Sequence, residues 1–227
     1  MPGRPTPLVT GEIYHIFNRG IARQPTYNDA RDYRRFLDSM HFYLTRGATP
    51  SFSKFTHLSN VERTNRLIQM AKLHNYYIDL LGYCFMPNHF HLVVRQQTEE
   101  GISTYMSNLV NSYTRHFNLR HDRGNGALFQ GRFKAVRIET DEQLIHVIRY
   151  IHLNPYTSYV VKTLTNLEKY PYSSFGIYLE NRADLFIDQT LIKEQFTSCE
   201  KLRQFTFDQA DYQRELANIK HLVLEEI

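Results

Sequence analysis

Tyr83-Cys84-Phe85-Met86-Pro87-Asn88-His89-Phe90-His91-Leu92-Val93-Val94 sets two apolar, β-prone runs on either side of a Pro-Asn break. The pattern predicts one strand, a tight connection and a second strand. The second strand opens His-Phe-His. Residues i and i+2 of a strand share a face, so His89 and His91 stand side by side, while Phe90 turns to the opposite face and a core. Two imidazoles with bases roughly 6–7 Å apart suit chelation of one metal ion. A His-X-His pair alone is a weak signal, because buried histidines that merely bond a backbone carbonyl are commoner than ligands. It carries weight only if the rest of the chain brings a third ligand and a reacting group.

The 227 residues allow one large domain, or one domain with an appended module. Apolar content is ordinary, aromatic content is 14%, and the formal net charge is +4. The mild basicity matters because the cations cluster near the interesting motifs. Cys84 and Cys199 give neither a disulfide framework nor a cysteine metal site. No apolar run reaches membrane-spanning length, and Met1 to Pro7 lacks the apolar core of a signal peptide. A cytoplasmic protein is expected. No internal repeat is visible.

Outward from the hairpin, Gly11 to Asn18 carries Ile13, His15 and Phe17 in alternation and reads as a first strand, with Arg19 at its end beside Gly20 and in reach of a phosphate. Asp29 is placed to cap a helix with the stripe Phe36, Leu37, Met40 and Leu44. Residues 47–58 read as a loop. Ser59 to Glu62 has capping-box spacing and opens a helix with Val61, Leu67, Ile68 and Ala71 inward. A longer helix from Ile102 to about Leu119 ends in Arg115, His116, Arg120, His121 and Arg123. Phe129 to Ile138 alternates as a fourth strand, with Arg132 and Lys134 on one face. A cationic strand beside the Gly124-Asn125-Gly126 loop suits a phosphate backbone, and its interleaved aromatics favour unpaired bases that can stack. An ordinary solvated sheet face is the plainer alternative.

Thr140-Asp141-Glu142-Gln143 opens another helix with Leu144, Val147, Ile148 and Ile151 inward. His146, Tyr150 and Asn154 then form an i, i+4, i+8 row beside that stripe. Asn154 precedes Pro155, so the helix is expected to end there. Each residue alone has a plain role: surface histidine, boundary aromatic, helix cap. Together they can supply what the histidine pair lacks. Tyr113 is the rival tyrosine, but its spacing matches Leu109 and Phe117 and reads as core.

The runs Tyr14-His15-Ile16-Phe17-Asn18-Arg19-Gly20, Met86 to Leu92, Leu128-Phe129-Gln130-Gly131-Arg132-Phe133-Lys134 and Arg149-Tyr150-Ile151-His152-Leu153-Asn154-Pro155 occur in this order. Together they resemble the IS200-type transposases, and within them the REP-associated tyrosine transposases of the HUH superfamily. The resemblance covers about Glu12 to Tyr178. It implies an α+β, ferredoxin-like sandwich: a central antiparallel sheet with helices packed on one face. It implies that His89 and His91 bind Mg²⁺ or Mn²⁺, that Asn154 completes this metal site, and that Tyr150 is the nucleophile. His146 is expected as an outer neighbour of the site.

The resemblance divides the chain into a transposase domain, residues 1–178, and a helical C-terminal extension, residues 179–227, with helices expected around Gln189–Phe196 and Gln209–Leu224. It implies cleavage and rejoining of single-stranded or hairpin DNA through a 5′-phosphotyrosine link. Arg19, Arg120, Arg123, Arg132 and Lys134 are the DNA-binding candidates. A homodimer is open. Two other readings are a non-catalytic, domesticated nucleic-acid-binding protein and a metal-dependent phosphodiesterase in which water attacks.

Overall fold

The computed structural model describes residues 7–49, 51–180 and 184–215. Pro87 and Asn88 make the predicted two-residue turn between β2 (Ile78–Met86) and β3 (His89–Gln96). β3 pairs antiparallel with β1 (Ile13–Arg19), and β1 pairs with β4 (Lys134–Ile138). The sheet order is β2-β3-β1-β4, wholly antiparallel, as a ferredoxin-like sandwich requires.

On one face lie α1 (Ala30–Leu44) and α4 (Gly101–Arg120). Phe36 of α1 meets Phe85, Phe90 and Tyr113 with ring centroids 4.9–5.2 Å apart, so the predicted apolar stripes of both helices interlock over the sheet. Asp29 caps α1 by accepting from the backbone N–H groups of Arg31 and Asp32. The helical layer extends beyond that one face. α5 (Asp141–Thr157) crosses the other face over β2, which is why β2 is buried along its whole length. Gly82 makes this possible: a Cβ there would lie 2.8 Å from Cδ1 of Ile148 and 3.5 Å from Cδ1 of Ile151.

Several local expectations give way to packing. α5 runs through Pro155 to Thr157, because Leu153 and Tyr156 belong to a second core cluster with Leu167, Phe175 and Ala210, and that burial outweighs the preference against helix before proline. β4 is shorter than the predicted strand. Gly131 sits at φ 52°, off the extended backbone, so only Phe129 bridges to Gly20 upstream of Lys134. The predicted loop at 47–58 contains α2 (Phe52–Thr56), whose Phe52 and Phe55 pack with Phe42 and Met70. The capping box of α3 (Asn60–Leu73) is present, yet Val61 points outward at 70% exposure.

Two short helices follow α5, α6 (Leu164–Glu168) and α7 (Phe175–Leu179). Beyond them come α8 (Thr190–Glu194) and α9 (Cys199–Phe207), and a helical run from Ala210 to Glu215; the remainder of the helix expected at Gln209–Leu224 lies outside the described residues. Ile187, Ile192 and Leu202 join the main core. Arg149 on α5 lies 4.3 Å over the Phe205 ring of α9, and Arg214 is sandwiched between Tyr156 at 3.5 Å and Tyr159 at 4.3 Å.

Gly82→Val tests the seating of α5. Added methyls beneath Ile148 are expected to lower unfolding stability by about 1–3 kcal/mol in urea titrations. An unchanged midpoint would mean that α5 does not depend on close approach at Gly82.

Candidate active site

Strand parity and one helix build the site. His91 pairs with Phe17 and His89 with Arg19 across the β1–β3 ladder, so these four side chains share the face that α5 crosses. Phe17 also pairs with Lys134 of β4, and His15 with Val136, which extends the same face to the sheet edge. Lys134 Nζ lies 6.0 Å above the Phe17 ring, and Val136 is 55% exposed. From above, α5 lowers Asn154 and Tyr150, one turn apart, onto the histidines. The Asn154 amide nitrogen lies 3.1 Å from Nε2 of His91. The Tyr150 ring stands edge-on to His91 at 5.6 Å and to His15 at 6.1 Å. Tyr150 is 46% exposed, whereas His91 is 5% exposed beneath it.

The imidazoles are neutral at neutral pH. Burial pulls His89 down to about 4, and the charge of Arg19 adds to this. Burial lowers His91 well below the ordinary histidine value, aided by His89, His15 and Arg19. Burial alone takes His15 to about 4. Neutral rings keep a nitrogen lone pair for a ligand. For His89 the free nitrogen can be named. Asn88 donates its amide N–H to the Arg23 carbonyl at 3.0 Å, so its Oδ1 faces Nδ1 of His89 at 2.7 Å. Nδ1 therefore carries the proton, and Nε2 is bare.

Among the described residues, no group of three or more His, Cys, Asp or Glu is arranged to hold a metal ion. The donor set is instead two imidazoles and one amide. The 3.1 Å between the Asn154 amide and His91 Nε2 is near the roughly 2.9 Å between neighbouring ligands of an octahedral ion bonded at about 2.0–2.1 Å. Asn154 presents oxygen by a half-turn of its amide. Ser158 Oγ, 3.3 Å from Asn154 Oδ1, can donate or accept and so supports either orientation. The residues fit a hard divalent ion that also takes oxygen ligands from a phosphate.

Of the candidate cations, Arg19 is exposed beside His89, and Lys134 lies on the same face. Arg132 is exposed but precedes the shortened β4, so it shares no ladder face with Lys134. Arg120 is committed to Asp29 and to the fully buried Asp32, where it ties α4 to α1. Arg123 lies 5.6 Å over the Phe117 ring at the end of α4. His146 is placed eight residues, about 12 Å along the helix, from Asn154, so it neighbours Tyr150 rather than the histidine pair. Its Nδ1 is 2.6 Å from Arg149, and its ring is 5.6 Å from Phe205. With His15, Glu142, Gln143, Val147 and Tyr150 it lines a shallow groove of about 440 Å³. Tyr113 is fully buried, and its hydroxyl donates to the Thr26 carbonyl; burial raises its pKa, so it offers no accessible phenolate.

Sequence reasoning leaves out His15 and Asn88 as site residues. His15 Nε2 lies 2.9 Å from His91 Nδ1. Alternation along β1 put His15 on one face, but only the β1–β3 pairing brings that face to His91.

Residues 54–154 match the family model described as "Transposase IS200 like". No curated protein matches the chain by sequence. A solved structure of a REP-associated tyrosine transposase bound to a REP hairpin is similar to this chain, with TM-score 0.53 and 14% identity over 83% of this chain and 92% of that one. At that identity the likeness is one of fold.

The buried neutral histidines predict acid sensitivity. His15 and His89 titrate near 4 and His152 near 3 in the fold, against 6.5 when unfolded. Below pH 6.5 the unfolded chain binds protons that the folded chain refuses, so stability falls as pH falls towards 4. Each such histidine is expected to cost about 2 kcal/mol at pH 5. Urea midpoints that stay level between pH 7 and pH 5 would contradict this burial.

Proposed function

We propose, taking the chain as IS200-like over residues 54–154, that it is a metal-dependent single-stranded DNA transposase that cuts and rejoins strands through Tyr150, with hairpin or repeat DNA as substrate. One observation carries the reading: a half-exposed tyrosine stands edge-on to the buried His91, next to His89, with Asn154 one helical turn behind it against His91.

His89, His91 and Asn154 would hold Mg²⁺ or Mn²⁺, which would neutralise the scissile phosphate and polarise its oxygens for in-line attack. The chain's own groups do the rest. The Tyr150 hydroxyl attacks phosphorus; a P–O bond to tyrosine forms and the bond to O3′ breaks. The proton lost by the phenol is balanced by the one gained at O3′, which leaves a 5′-phosphotyrosine and a free 3′-hydroxyl. Attack by a 3′-hydroxyl reverses the step and rejoins strands, so no external energy source is needed. Arg19 and Lys134 flank the histidines on one face and would track the strand's phosphates, and Phe17 beneath Lys134 offers a stacking surface. In this reading, residues 1–178 carry the chemistry, and Phe205, Asp211 and Arg214 of the C-terminal extension brace α5. Assembly as a homodimer would decide whether Tyr150 serves its own site or its partner's.

The cationic edge is tested by Arg19→Gln with Lys134→Gln. Two lost phosphate contacts are expected to reduce the slope of log K against log salt by about 1.4 for single strands. An unchanged slope places the strand elsewhere.

The nucleophile is tested by Tyr150→Phe with hairpin DNA and Mn²⁺. The variant is expected to bind DNA yet form no denaturant-resistant adduct, with cutting reduced at least about a thousandfold. In the unaltered chain, DNA should be linked to the tryptic peptide that begins at Tyr150, after Arg149. Linkage at Tyr113 would overturn the assignment, and cutting without any linked peptide would favour attack by water.

A further inference from the structure

We infer that His15 is a positioning residue: it accepts the Nδ1 proton of His91 and so keeps His91 Nε2 bare on the side of Asn154. The inference rests on the site proposed above. Three bonds lead to it. Ser158 Oγ donates to Asn154 Oδ1 at 3.3 Å, and the amide nitrogen of Asn154 faces His91 Nε2 at 3.1 Å. An amide N–H can only donate, so Nε2 must accept and carries no hydrogen. The single proton of the neutral ring then sits on Nδ1, which faces His15 Nε2 at 2.9 Å. His15 must accept there, and its own proton goes to Nδ1.

The parallel with the neighbouring ligand strengthens the assignment. His89 also has its Nδ1 held by an acceptor, Asn88, whose orientation is fixed by the Arg23 carbonyl. Both histidines are thus held in one tautomer, with both Nε2 atoms free. In a free neutral histidine the Nε2–H form is the commoner, so without these acceptors the pair would favour the form that closes Nε2 to a ligand. His15 reaches His91 from β1, a different strand, and its ring stacks on His91 with centroids 5.1 Å apart. Outer partners of this kind fix ring orientation as well as tautomer.

The experiment uses metal-free, ¹⁵N-labelled full chain. Long-range ¹H–¹⁵N spectra report which ring nitrogen of His91 is protonated, the signals being assigned by their loss in His91→Gln. The expected pattern is a protonated Nδ1 and a bare Nε2. His15→Phe, which keeps an aromatic ring but no acceptor, should move His91 towards the Nε2–H form. The same variant should weaken Mn²⁺ binding, followed by electron paramagnetic resonance of the free ion, by 10–100-fold. His15→Gln presents an amide oxygen to Nδ1 and should recover most of that loss, which a purely structural role would not predict. Circular dichroism checks that each variant folds; if His15→Phe does not, the wild-type spectrum and His15→Gln decide. A protonated Nε2 on His91 in the wild type, or unaltered Mn²⁺ affinity in folded His15→Phe, overturns the inference. A wild-type chain that takes up no Mn²⁺, with or without DNA, defeats the metal reading, while the spectrum still decides the role of His15.

Discussion

The contact between Asn154 and His91 is the point on which the molecule turns. It joins the last full turn of α5 to the first part of β3, and it can form only if α5 lies almost flush on the sheet. A side chain at position 82 would hold the helix away; glycine lets Ile148 and Ile151 descend onto β2. His152 fixes the helix at the same depth: its Nε2 lies 2.8 Å from Ser174 Oγ, and that hydroxyl also accepts from the Tyr83 N–H at 2.9 Å. Helix, strand and the segment after α6 are thereby locked together. Tyr150 inherits its place from this seat, because one turn towards the N-terminus from Asn154 lies over the same two strands.

The second brace comes from the C-terminal part of the chain. Phe205 and Arg214 grip α5 from outside through Arg149, Tyr156 and Tyr159. Tyr156 also donates to Asp211 at 2.7 Å. Planar guanidinium groups on aromatic faces hold position without needing a dry interface, so they suit a joint at the surface. If Tyr150 acts as proposed, α5 would have to be held within a fraction of an ångström of the phosphate, and a clamp on both faces of the helix would meet that demand.

Much of this was legible in sequence. The hairpin, the four long helices and the caps at Asp29, Ser59 and Thr140 follow from period and punctuation. So does the row Tyr150, Asn154, since helical spacing alone sets it. Three things were not legible. Strand parity puts His15 on a face but does not say which strand lies beside it, so the His15–His91 pair emerged only with the β1–β3 register. The rule that ends a helix before proline is local, and the buried cluster around Leu153 and Tyr156 overrides it. Charge clusters likewise reveal nothing of partners: Arg120 looks like one more cation at a basic helix end until Asp29 and the buried Asp32 claim it.

That last case separates the chain's cations into two kinds. Arg95 holds Asp79 and Asp188, Arg137 holds Glu12, and Arg203 holds Glu168; with Arg120 these bind the fold to itself. Arg19, Arg132 and Lys134 form no ion pair among the described residues, and two of the three stand on the histidine face. A net charge of +4 would be unremarkable if spread evenly. Here acidic side chains neutralise the structural arginines, while Arg19 and Lys134 leave positive charge on the face that carries His89 and His91. On the proposed function, neutral ligands would add no negative charge to repel a phosphate, and they would bind a hard ion weakly unless the phosphate joined them. Such a site would favour metal and nucleic-acid phosphate together over either alone.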